Sequence, residues 1–380
     1  MSHKIQSVFC RIDWVLIGSV LAVSILGLLT MQSFSAENYF FEKQLVWLGI
    51  SFSALFILSS VNLQFLRRTV VVTIIFILAV ISLLAVFVLG EVTQGSQRWL
   101  EIGGFSIQVS EFAKIALIIV LAKYFSRRHV EIADFRHIII SGIYAFIIFS
   151  LIFFQPDFGS SVVIIMIWLG MILVSGISKK HLLIVGLSGL IVFGGLWLFA
   201  FEDYQKNRIV SFLQPYADME GGGYHTLQST IAVGSGGLSG KGVGYGTQSH
   251  LKFLPEHETD FIFAAFAEEW GFLGVFFLFF LFGLIIWRIF ANSLKGATNF
   301  EVLFGVGLAT MIMCHIFIHI GANVGILPVT GITLPFMSFG GSHLLATFIG
   351  LGILMSIRRH NYVTHKDIRE NEMLSDPYIS

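Results

Sequence analysis

Ten apolar runs separated by shorter polar stretches set the rhythm of this chain. They lie near residues 14–31, 44–61, 69–89, 111–126, 137–154, 158–175, 181–200, 261–287, 301–320 and 342–357. About 20 apolar residues at 1.5 Å rise cross a hydrocarbon core, so runs of this length predict transmembrane helices. The fourth run is short and polar at its start, which suits an angled entry. The eighth is over-long, with Gly271 and Gly274 as break points; a tilted span or a shallow re-entrant turn before a span would fit. The expected fold class is an all-α polytopic membrane protein with about ten transmembrane helices. Residues 1–380 form a single integral membrane domain, and residues 201–260 form a large extracytoplasmic loop between helices seven and eight.

Composition agrees with that pattern. Hydrophobic residues make up 56% of the chain and charged residues 12%, with a mean hydropathy of +0.84. A soluble surface needs far more charge. The formal net charge is zero, which argues against nucleic acid as a partner. Cys10 and Cys314 are the only cysteines, so neither a disulfide framework nor a paired metal-ligand spacing is present. Lys4, Arg11, an apolar stretch and Ser-Phe-Ser-Ala at 33–36 mimic a signal peptide. The first run is long enough to span and many more follow, so an uncleaved first helix is expected.

Basic residues orient the bundle. Lys4, Arg11, Arg67, Arg68, Lys123, Arg127, Arg128, Arg136, Lys179, Lys180, Arg288, Lys295, Arg358, Arg359, Lys366 and Arg369 fall in alternate connections. These are sixteen of the 23 basic residues; Lys43, Arg98, Lys206, Arg208, Lys241 and Lys252 lie on the opposite side. The positive-inside rule then places both termini in the cytoplasm, and an even number of spans keeps the alternation intact. The informative loops, 90–110, 155–157, 201–259 and 321–342, all face outward. The glycine-rich pieces 221–223 and 234–246 lack the P-loop pattern and lie away from ATP. No internal repeat supports an inverted-repeat transporter.

The polar island 238–269 ends by carrying Asp260 into an apolar run, where a carboxylate is costly without work or a partner. Asp260 either caps the helix that follows or acts chemically. Arg98, beside Trp99, is an interfacial anchor or a fork for phosphate oxygens. Ser110 can cap the fourth helix, where Glu111 and Lys114, three residues apart, pair with each other or bind a pyrophosphate. Asp157 caps the sixth helix or forms part of a polar turn. Lys241, Gln248 and Glu256 belong to a glycine-rich segment that is a linker or an approach to an anionic or sugar ligand. Glu268 and Glu269 call for structural ion pairs. His315 and His319 mimic a metal pair but lack an evident third ligand, so packed histidines are expected and no metal site is assigned. Residues 328–342, including Ser338, suggest a pocket wall.

Taken in order, Gly95-Ser-Gln-Arg-Trp-Leu-Glu-Ile-Gly103, Gln108-Val-Ser-Glu-Phe-Ala-Lys114, Gln155-Pro-Asp-Phe-Gly159, Thr259-Asp-Phe-Ile-Phe-Ala264, Glu268-Glu269 and the 328–342 segment resemble the SEDS family over nearly the whole chain. Gly-Thr-Gln-Ser at 246–249 and the short tails look like its RodA branch rather than the FtsW division branch. Val109, Glu258 and His343 depart from the family pattern.

The resemblance implies a peptidoglycan glycosyltransferase of the bacterial cytoplasmic (inner) membrane that polymerises lipid II into lipid-linked glycan for elongation and rod shape. Its implied partners are a class B penicillin-binding protein and the elongation machinery. It implies Asp260 as the catalytic residue. Arg98, Glu111, Lys114, Asp157, Lys241, Gln248, Glu256 and Ser338 are the substrate-binding candidates. No cofactor is required, although a divalent cation, Mg²⁺ or Mn²⁺, could accompany the pyrophosphate. A lipid II flippase and a non-catalytic scaffold for the penicillin-binding protein are the alternatives. A flippase would spread its charges through the membrane depth, whereas here they cluster toward the outer side.

Overall fold

The computed structural model describes residues 12–34, 39–93, 96–126, 135–199, 201–217, 222–251, 253–254, 256–296 and 298–357. A helix occupies each of the ten apolar runs. The first seven are α1 (Trp14–Phe34), α2 (Tyr39–Ser60), α3 (Thr69–Leu89), α4 (Val109–Ser126), α5 (Phe135–Phe153), α6 (Phe158–Ser175) and α7 (Lys179–Phe199). Three shorter helices follow: α8 (Asp203–Leu213), α9 (Gly222–Ser235) and α10 (Thr247–His250). The chain returns to the bundle through α11 (Ile262–Ser293), α12 (Asn299–Asn323) and α13 (Gly341–Ile357). Eight of these helices are long and apolar enough to cross a membrane by themselves. The protein is therefore a multi-pass membrane protein. Lys4, Arg11, Arg358, Arg359, Lys366 and Arg369, which bear on the orientation of the termini, lie outside the described residues.

The other two helices on the ten apolar runs, α4 and α13, are enclosed by protein. Of the 18 residues of α4, 14 are buried, and the helix packs against α3, α5, α6 and α12. Lipid does not meet its Glu111 and Lys114, so a charged helix is tolerated there. Ser110 does not cap α4: the helix begins one residue earlier, at Val109, and the Ser110 hydroxyl donates to Asp157 instead. At the other extreme, α7 has no buried side chain and presents its apolar surface outward.

The over-long run breaks where the sequence suggests. Gly271 has φ 65° and ψ −167°, a conformation open to glycine alone. The broken helix would leave backbone groups unpaired in an apolar setting. The 237–242 loop satisfies them. Phe272 and Leu273 donate from backbone N–H to Gly237 O (2.9 Å) and Leu238 O (3.1 Å), while Lys241 and Gly242 donate to Glu268 O and Glu269 O, both at 3.0 Å. A side chain at Gly236 or Gly240 would collide with the carbonyls of Ala267 and Glu269.

Among the described residues, an otherwise all-α fold contains one small sheet. Strands β1 (Glu91–Thr93), β2 (Ser96–Ile102) and β3 (Phe105–Gln108) pair antiparallel in that order. Gly103 and Gly104 (φ 61° and 82°) form the two-residue turn between β2 and β3, which demands positive φ at both positions. The sheet leans on the ends of α3 and α4 and carries Arg98 toward Asp157.

Candidate active site

Asp260 stands just before α11, partly buried, at the end of the bundle predicted to face outward. Its backbone is held on both sides. Asp260 N–H donates to Glu256 O (3.0 Å), and Asn323 Nδ2 donates to Asp260 O (2.9 Å). Asp260 does not cap α11; Phe261 occupies that position. Burial, first, and then the neighbouring Glu256 carboxylate raise its pKa to about 6 against the pull of Arg208 and Arg98 and a hydrogen bond from Thr259. Glu256, with φ 47°, holds a left-handed conformation that costs energy in a non-glycine residue.

Arg98 serves two carboxylates. Its Nη1 lies 3.8 Å from Asp157 Oδ1, and its charge reaches Asp260. Asp157 is first an N-cap, accepting from Ser160 N–H at 3.1 Å. Its other oxygen accepts from Gln108 Nε2 (2.9 Å) and Ser110 Oγ (3.3 Å). Asp157 thereby joins β3, α4 and α6 beneath the sheet.

Arg208 is a site residue that the sequence reading counted only as an outer cation. It lies on α8, a helix inside the predicted long loop, started by a capping box of Glu202 and Gln205. Together with Phe158, Phe201, Gln205, Ile209, Pro328, Val329 and Thr330 it lines a recess beside the 328–330 loop. The signal was present in the spacing of Glu202 and Gln205, the N-cap and N3 positions of a helix start.

Arg98, Asp157, Glu256, Asp260 and Arg208 therefore gather at one end of the bundle. The other candidates do not. Lys114 is completely buried, with Nζ 2.6 Å from Glu111 Oε1 and 3.0 Å from His315 Nε2. Glu111 Oε2 accepts from His343 Nδ1 at 2.7 Å. The pair expected to bind pyrophosphate is instead sealed in its own network. The ligating atoms of Glu111, His315 and His343 lie within 4.8 Å of one another, so His315 has two potential co-ligands distant in sequence, and His319 is not one of them. The Lys114 ammonium already supplies the cation among them.

Lys241 and Gln248 join a second group, built around the buried Glu268 with Lys241 partly exposed. Lys241 Nζ meets Glu268 Oε1 at 2.6 Å and Thr247 Oγ1 at 2.9 Å, and the backbone N–H groups of Thr247 and Gln248 donate to the same carboxylate. Glu269 Oε1 accepts from Ser33 Oγ (2.7 Å) and Gly244 N–H (3.1 Å). This is the structural pairing expected of Glu268, and it lies two helical turns, about 12 Å, beyond Asp260. Ser338 is buried as well: its hydroxyl accepts from Leu334 N–H (2.8 Å) and donates to Thr259 O (2.9 Å). It fixes the 328–342 segment against the Asp260 turn and presents no free hydroxyl to a ligand.

The family model for FtsW, RodA and SpoVE, described as cell cycle protein, matches residues 5–363. Stage V sporulation protein E of Bacillus subtilis is 37% identical over 362 residues, covering 92% of this chain and 97% of that protein. The peptidoglycan glycosyltransferase MrdB of Escherichia coli K12 is 39% identical over 297 residues, 77% of this chain and 79% of its own. Among solved structures, a chain from a work on the structural coordination of polymerization and crosslinking by a peptidoglycan synthase complex superposes with a TM-score of 0.79. It is 30% identical, with 92% of this chain and 98% of that chain covered. The rod shape determining protein RodA of Thermus thermophilus gives a TM-score of 0.70 at 28% identity, covering 92% of this chain and 97% of its own.

Proposed function

The chain belongs to the FtsW, RodA and SpoVE family of cell cycle proteins, and from that premise we propose that it is a peptidoglycan glycosyltransferase polymerising lipid II. The protein lies in the cytoplasmic membrane, works at its outer face, keeps both termini in the cytoplasm, and serves elongation and rod shape. The likeness to MrdB and to RodA supports this reading. The observation that carries it is Asp260, a partly buried acid within reach of the charges of Arg208 and Arg98 and itself in no ion pair within 4 Å among the described residues.

Asp260 acts as general base. The acceptor sugar hydroxyl attacks the anomeric carbon of the lipid-linked donor, the bond from that carbon to the phosphate oxygen breaks, and the hydroxyl proton passes to the Asp260 carboxylate. A positioned base contributes about 10²–10⁴-fold to such a step. The leaving pyrophosphate needs no proton at departure, and Arg98 and Arg208 offset its growing charge. Arg208 replaces Lys114 and Lys241 in that role, since both lysines are bonded elsewhere. The Glu256 oxygens next to Asp260 suit a hard divalent cation, Mg²⁺ or Mn²⁺, but the transfer as derived needs none.

A class B penicillin-binding protein that cross-links the product is the proposed partner, within the elongation machinery. The likeness to a chain of a peptidoglycan synthase complex supports it. The test is polymerisation of labelled lipid II by the purified protein and its Asp260→Asn variant. Full glycan synthesis by the variant would overturn the assignment.

A further inference from the structure

The α12 histidines are buried polar groups that the transfer itself does not use. His315 and His319 lie one turn apart, and each turns Nδ1 to a backbone carbonyl of the 328–339 segment. His315 reaches Thr333 O at 3.2 Å and His319 reaches Ile332 O at 2.8 Å. A carbonyl only accepts, so each Nδ1 carries a proton. The other nitrogen of His315 agrees, because its Nε2 accepts from the Lys114 ammonium. His319 Nε2, by contrast, is buried without a hydrogen-bond partner among the described residues. An unpaired buried acceptor is unfavourable, and a leucine would fill the same space without one. What the ring adds is its Nδ1–H.

The two carbonyls belong to the wall of the Asp260 site. Gly331 brings that wall against the acid: a Cβ placed on it would stand 3.8 Å from Asp260 Oδ2. The same helix holds the acid's own backbone, since Asn323 Nδ2 donates both to Asp260 O and to His319 O at 2.9 Å. One end of α12 thus grips Asp260 through Asn323 and the facing wall through His319. Behind it, His315 continues through Lys114 to Glu111 and His343, and the His315 and His343 rings stack at 4.3 Å.

We propose that His319, backed by His315, is a positioning residue whose Nδ1–H sets the distance between the 330–334 wall and Asp260. The inference rests on Asp260 being the base. The groups that act on Asp260 are Glu256, Arg208, Arg98 and Thr259, with burial as the leading influence. A wall that slackens admits water, weakens that influence and lowers the pKa of the acid.

The test compares the full-length protein with His319→Leu, which removes the donor, and His319→Asn, whose amide places an N–H where Nδ1 stood. Amide hydrogen exchange over residues 330–334 is read beside initial rates on labelled lipid II between pH 5 and 8. The leucine variant should exchange about tenfold faster. Its kcat should fall on the order of tenfold with KM within about twofold, and the acidic limb of its pH profile should move to lower pH. The asparagine variant should restore all three. Should the leucine variant fail to fold, His319→Met, flexible and without a donor, takes its place. Leucine and asparagine variants that behave alike, or faster exchange with an unmoved acidic limb, would overturn the inference. Full glycan synthesis by Asp260→Asn would refute the Asp260 assignment instead, and hydrogen exchange would still decide whether His319 holds the wall.

Discussion

Asp260 and Glu111 are both acids set among cations, and the distances around them differ. Glu111 has Lys114 at 2.6 Å and His343 at 2.7 Å, completely inside protein. Asp260 feels Arg208, Arg98 and the like-charged Glu256, but lies at a partly open end of the bundle. A carboxylate whose two oxygens are each engaged by a buried partner stabilises a helix contact and is screened from a substrate proton. A carboxylate that has no ion pair of its own among the described residues keeps a basic oxygen within the field of its cations. The same residue types are structural in one place and chemical in the other.

The largest expected effect separates the two directly. Asp260→Asn should lower lipid II polymerisation by about 10²–10⁴-fold. It should also raise stability near pH 7 by about 1–3 kcal/mol, measured by thermal or denaturant unfolding. The sign follows from the raised pKa. A carboxyl that titrates near 6 in the folded protein and near 3.8 unfolded stabilises fully below pH 3.8, and that contribution is lost as pH rises through 6. The amide escapes the loss.

At Glu111 the outcome reverses. Lys114→Met strips the carboxylate of its ammonium and should cost about 3–5 kcal/mol. The loss should appear as lower yield and melting temperature before any specific kinetic change. Arg208→Ala should sit between these extremes, reducing kcat/KM by about 10–100-fold with unchanged melting, because one charge-offsetting group is lost from the leaving pyrophosphate. The smallest effect is expected from Glu256→Gln. Removing the like charge should lower the Asp260 pKa and shift the acidic limb of the rate profile to lower pH by less than about 1 unit.

Much of the fold was legible because the bilayer imposes it. Apolar run length fixed all ten helices, and the excess length of the eighth pointed to Gly271. The β2–β3 hairpin was readable from Gly103-Gly104 but went unseen behind the helical pattern. The surroundings of the candidate residues were illegible where they depended on partners distant in sequence. Nothing near Lys114 reveals that His315, 201 residues away, and His343 close over its network. Likewise, an ion pair between Lys241 and Glu268 requires the loop to fold back onto the break in α11. Arg208 was overlooked for the opposite reason: its helix was short and lay inside a segment read as loop.

The joint at Gly271 also constrains how this chain can vary. Gly236, Gly240 and Gly271 are interlocked by backbone contact, so substitution at any of them demands compensation from the other side. The exposed side chains of Val243 and Tyr245 escape that restriction, whereas Gly242 and Gly244 beside them hold positive φ and donate to Glu269. Inherited change should therefore collect at Val243 and Tyr245 and spare the glycines around them.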